Sequence, residues 1–132
     1  MVRATVPFEY IHADWIDMPE ATNGYKYLLV VIDDLSGTVM LHGCKTHTAE
    51  DTARALVNHW LSIYPDPQML HTDDGTHFVN SIFKSIVDIR GFAHHITAPH
   101  AKWTHGVGER INRTCLDAFL TILAQLEVET QT

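Results

Sequence analysis

"YKYLLVVID" (residues 25–33) is a near-continuous apolar run, and its reading decides the architecture. A half-solvated strand would alternate polar and apolar positions, whereas an uninterrupted run is expected of a central strand covered on both faces. Asn23-Gly24, just before it, is a strong hairpin-turn dipeptide, which makes the strand-like "FEYIHADWI" (8–16) its partner. On the other side "DLSG" turns the chain into "TVMLHGC" (38–44). The first three strands therefore read as an antiparallel meander.

The spacing then becomes helical. Thr48 with Asp51 three residues on resembles a capping box, with Asp in the Glu position. Ala49, Thr52, Ala53, Leu56, Trp60 and Ile63 come at helical intervals until Pro65. "QMLHT" (68–72) is a short fourth strand. Thr76 and His77 open a second helix, with Thr76 as its cap. Val79, Ile82, Phe83, Ile86 and Val87 mark one face of that helix, and Gly91 is its stop. "FAHHITA" (92–98) is a fifth strand, and a last helix comes after it with Val107, Ile111, Cys115, Ala118 and Ile122 in phase. A second stripe of Leu116, Leu120 and Leu123 means this helix is largely buried or meets a partner. The fold class is α/β: a five-stranded mixed sheet with helices on both faces, in a single domain over 1–132. Sites in such sheets tend to lie at strand ends.

Bulk properties narrow the function. No apolar run reaches the roughly 20 residues that span a bilayer, so no membrane partner is expected. "MVRATVPFEY" lacks the blocks of a signal peptide, and Cys44 and Cys115 form no CxxC pair. The expected setting is the nucleus or cytoplasm, with reduced thiols. A net charge of −7 argues against passive binding to nucleic acid, which draws on phosphate neutralisation. Yet Lys102, Arg110 and Arg113 cluster within twelve positions, beside His100 and His105.

Asp14 lies within the first strand, Asp73 at the end of the fourth, and Glu109 at the start of the last helix. The first and fourth strands can be neighbours if strand one is on the inner side of the meander. Three convergent carboxylates repel one another unless protonated or bridged by metal, and hard oxygen donors suit Mg²⁺ or Mn²⁺. Two such ions can activate an attacking oxygen and stabilise a leaving one in phosphoryl displacement.

Three segments, "HADWIDMPEATNGYKYLLVVIDDLSG", "HTDDGTHFVN" and "KWTHGVGERINRT", resemble the catalytic core of retroviral and LTR-retrotransposon integrases, particularly the Ty3/gypsy-like group. The family's second and third carboxylates have thirty-five residues between them, as do Asp73 and Glu109 here; Asp74 would leave thirty-four. The resemblance covers nearly the whole chain and implies an RNase H-like fold. It implies a DDE polynucleotidyl transferase, an endonuclease and strand transferase of DNA integration, with Asp14, Asp73 and Glu109 as the metal-binding catalytic triad. Two Mg²⁺ (or Mn²⁺) ions would be its cofactors. Water would attack a DNA phosphodiester to trim the element's 3′ ends, and the freed 3′-hydroxyl would attack target DNA. Lys102, His105, Arg110 and Arg113 would then meet DNA phosphates, and a homodimer or higher oligomer is implied. The zinc-binding N-terminal and basic C-terminal domains of full integrases are expected to be absent.

Plainer roles compete for several residues. Asp74, Asp17 and the pair Asp33-Asp34 read as local polar structure, and Arg113 can pair with Glu109 at i,i+4. His12 and His71 stand two residues before Asp14 and Asp73, on the same strand face, as carboxylate orienters or packed core. His94-His95 lacks zinc-site spacing with the cysteines. "NRT" at 112–114 fits a glycosylation sequon only by coincidence. Lys102 stands where the family has proline and His105 where it has Asn. These departures leave an alternative, a non-catalytic transposon-derived remnant acting as a dimerisation or nucleic-acid-binding module. A free-standing RNase H-like nuclease is a third reading.

Overall fold

A computed structural model describes residues 4–22 and 24–97, together with Thr121. The elements are β1 (Tyr10–Thr22), β2 (Tyr25–Asp33), β3 (Val39–Cys44), α1 (Ala49–Leu56), β4 (Met69–Asp73), α2 (Ser81–Arg90) and β5 (Ala93–Thr97). The sheet order is β3-β2-β1-β4-β5. The meander is antiparallel, with Asp14 opposite Val30 and Leu29 opposite His42. β4 adds parallel to the free side of β1, and β5 parallel to β4. The mixed five-stranded sheet expected from the apolar pattern is thus present, with β1 on the inner side of the meander.

Alternation along the strands sorts their side chains onto two faces. On one face Ile11, Ala13, Leu29, Val31 and Leu70 meet Ala55, Leu56 and Trp60 from the first helix and Phe83 and Val87 from α2. On the other, Leu28, Val30 and Ile32 form a second cluster with Met18. β2 is therefore buried on both faces, as its unbroken apolar run requires. α1 and α2 share the first face; the last helix expected over 107–122 lies outside the described residues except for helical Thr121. No helix among the described residues is long and apolar enough to cross a membrane.

Local chemistry sets the element ends. Thr48 and Asp51 form the expected reciprocal capping box on α1. The helix continues as a π-helical turn over Val57–Leu61, closed by Ser62 N donating to Val57 O. The wider turn shifts the phase of the apolar stripe. Trp60 and Leu61 enter the core, and Ile63, expected on the buried face, is 63% exposed.

Three expectations are corrected. α2 begins at Ser81, capped by Asn80, whose side chain accepts from Phe83 N at 2.8 Å. Thr76 caps nothing, because residues 75–79 first make a tight turn closed by Phe78 N and Val79 N donating to Gly75 O. Phe8 is not in β1; it has φ 66°, a left-handed conformation costly for a bulky residue. Its N–H donates to Asp33 Oδ1 at 2.8 Å, and its ring stacks on Tyr64, which together hold it there. Asp33 is more than a strand-end polar group: it is fully buried, and its Oδ2 accepts from Ser36 N and Ser36 Oγ.

Candidate active site

The parallel ladder between β1 and β4 ends at His12 opposite His71. Two residues further on each strand stand Asp14 and Asp73, on the same face by alternation. In β5, His95 pairs with His71 and Thr97 with Asp73. One sheet face thus carries a row of imidazoles and, one step toward the strand ends, a row containing both aspartates. The strands bring together two of the three carboxylates singled out from the sequence. Glu109 lies outside the described residues, as do Lys102, His105, Arg110 and Arg113. Among the described residues no group of three or more His, Cys, Asp or Glu side chains is arranged to hold a metal ion.

His12 and His71 are packed rather than solvated, and His95 at the outer edge of the row is exposed. His12 and His71 are 2% and 4% exposed, and their rings stack at 4.6 Å. His12 Nε2 lies 3.2 Å from Asp34 Oδ1, and His71 Nδ1 lies 3.4 Å from His95 Nδ1. Burial pushes His71 down to about 4, with His12 and His95 adding to the shift. Burial also lowers His12, against the opposing pull of Asp34. Neutral rings form the floor beneath the aspartates, so the packed-core role holds for both residues.

Asp73 is fixed by the turn on its C-terminal side. Gly75 N donates to Asp73 Oδ1 at 2.8 Å. A Cβ on Gly75 would lie 2.6 Å from His77 Cε1 and 3.0 Å from Asp73 Oδ1, so only glycine allows the chain to fold His77 back toward Asp73. His77 Nε2 ends 3.9 Å from Asp73 Oδ1. Burial pushes this imidazole below its ordinary range; Asp73 opposes the shift and His47 adds to it. The neutral ring is clamped by aromatic neighbours. His77 stacks on His47 at 5.2 Å and His47 on Tyr27 at 3.8 Å. Trp15 stands edge-on to all three rings, and its Nε1 donates to Thr52 Oγ1 at 3.1 Å. His77 was read from sequence only as a helix opener. The available signal was Gly75 between Asp73 and His77, the one residue type that lets those two side chains approach. Asp74 is exposed, as local polar structure should be.

Two carboxylates on one face of neighbouring strands, Asp14 within β1 and Asp73 at the end of β4, form a hard-oxygen donor set, which fits a divalent cation such as Mg²⁺ or Mn²⁺.

A mixed sheet in the order β3-β2-β1-β4-β5, with one aspartate inside β1 and another at the end of the parallel β4 beside it, defines an RNase H-like fold. Residues 4–102 match the family described as integrase core domain, and the chain belongs to that family. It is 31% identical over 113 residues, 86% of its length, to the Pol polyprotein of Radiation murine leukemia virus (strain Kaplan). It is 27% identical over 129 residues, 98% of its length, to the Gag-Pol polyprotein of Avian reticuloendotheliosis virus. The chain spans only 19% and 11% of those two polyproteins. Among solved structures, the HTLV-2 integrase catalytic core domain in complex with magnesium (trimeric form) is similar over 90% of this chain and 76% of its own, at TM-score 0.71 and 23% identity. The BIV integrase catalytic core is similar over 83% of this chain and 68% of its own, at TM-score 0.68 and 20% identity.

Proposed function

We propose that this chain is the catalytic core of a retrotransposon-type integrase, performing metal-dependent 3′-end processing and DNA strand transfer. The observation that carries the reading is the placement of Asp14 and Asp73 on one face, two residues beyond the last β1–β4 pair. Like charges so placed repel, and a bound divalent cation removes that cost. Asp14, Asp73 and Glu109 are the residues that hold two Mg²⁺ (or Mn²⁺) ions. Those ions, when bound, supply an activated oxygen nucleophile and stabilise charge on the leaving oxygen. The chain's own part is to aim the carboxylates. Asp73 is oriented by Gly75 N–H, and Asp14 is set by strand pairing to Val30. The neutral histidine floor keeps competing cationic charge away from them. Lys102, His105, Arg110 and Arg113 contact phosphates of the element ends and the target DNA, which offsets the repulsion expected from a net charge of −7. The chain acts as a homodimer or higher oligomer; its structural relatives include HTLV-2 cores in dimeric and trimeric forms.

The test is nicking and joining of branched DNA that mimics the integration product, with Mn²⁺ or Mg²⁺. Activity in the wild-type chain and its loss in Asp73→Asn are expected. Equal activity in Asp73→Asn would overturn the assignment.

A further inference from the structure

We infer that His77 is a positioning residue for Asp73, donating from Nε2 to Asp73 Oδ1 when the carboxylate is loaded with a cation. The inference rests on the reading of Asp73 as a metal-holding carboxylate and extends it to a residue outside the triad.

Five observations converge on this atom. His77 Nε2 is buried and has no hydrogen-bond partner among the described residues, an arrangement that is unfavourable unless a partner is met in the working state. The carboxylate oxygen facing it is Asp73 Oδ1 at 3.9 Å, too long for a hydrogen bond but closed by a small rotation of the carboxylate. That oxygen already accepts from Gly75 N, so a second donor completes its acceptance and leaves Oδ2 to the cation. The ring is not free to turn away, because His47, backed by Tyr27, and Trp15 hold it from two directions. The absence of a side chain at Gly75 is what keeps the path between Nε2 and Oδ1 open. A carboxylate ligand whose other oxygen is pinned binds a cation more tightly, since its orientation no longer has to be fixed on binding.

Replacing His77 separates this role from packing. His77→Phe keeps a stacking ring and removes the donor; His77→Gln removes the ring and keeps a donor at the Nε2 position. Mn²⁺ binding to the full chain is measured by calorimetry, with folding of each variant checked by its melting temperature. Affinity in His77→Phe is expected to fall about tenfold or more and to be recovered largely in His77→Gln. Wild-type affinity in His77→Phe, or a loss in His77→Gln equal to that in His77→Phe, overturns the inference. Asp14→Asn and Asp73→Asn separate the two levels. If neither changes Mn²⁺ binding, the metal reading itself fails. If both abolish binding while His77→Phe does not alter it, only the role of His77 fails.

Discussion

Gly75 and Asp33 show how single atoms decide the local geometry of the chain. A methyl group at 75 would press on His77 Cε1 and Nε2 at 2.6 and 2.7 Å, and the ring cannot retreat through the His47 stack. Gly75→Ala is therefore expected to destabilise the chain by about 1–3 kcal/mol, as overpacking does, read from the urea midpoint. An unchanged midpoint would mean that the His77 ring relocates without cost. Asp33 uses its two oxygens for different elements, Oδ1 for Phe8 N and Oδ2 for Ser36. An amide has only one accepting oxygen, so the near-isosteric Asp33→Asn must leave a donor unmet. A loss of about 1–3 kcal/mol is expected in the same measurement, and a neutral effect would show that the network tolerates one missing acceptor.

At the scale of elements, the first helix offers a contrast that periodicity alone gets wrong. Leu61 is buried and Ile63 exposed because the π-helical turn rotates the stripe. Leu61→Ala should cost about 2–5 kcal/mol, while Ile63→Ala stays within about 0.5 kcal/mol. Comparable losses at both positions would contradict the shifted phase. The strands were legible because β2 has no polar interruption and Asn23-Gly24 and "DLSG" bracket it; α1 was legible through Thr48 and Asp51. The start of α2 was not. Val79 falls in phase with Ile82, Phe83 and Ile86 yet belongs to a turn, since Gly75 O takes two backbone donors before Asn80 can cap the helix. That Asp14 and Asp73 share one sheet face was readable from their strand positions, while the count that separates Asp73 from Asp74 came from the family resemblance. The ring cluster at His77 was not readable, because Trp15, His47 and the Tyr27 stacked behind His47 come from separate segments and only the folded chain brings them together.

Taken as a whole molecule, the chain carries buried and half-buried imidazoles whose protonation opposes folding. An unfolded histidine titrates near 6.5, whereas in the fold His71 is pushed down to about 4. Burial likewise lowers His12, His94 and His42, with charge repulsion from neighbouring histidines contributing in each case. Between those values the unfolded chain binds more protons. The stability these groups contribute is thus fully present above 6.5 and is lost as pH falls toward about 4. Urea midpoints without added metal should decline across that window, and a flat profile would show that the rings are not buried neutral.

The order of pairing in the sheet also has a kinetic consequence. β1, β2 and β3 contact chain neighbours across short turns, whereas β4 reaches β1 only when Tyr10 meets Met69. Closing that long loop costs entropy before any contact repays it, so the meander can assemble first and the parallel half afterwards. Asp14 belongs to the early half and Asp73 to the late one. Competence to capture a cation should accordingly emerge as the last event of refolding, trailing the recovery of strand signal, which makes cation capture a reporter of completed assembly.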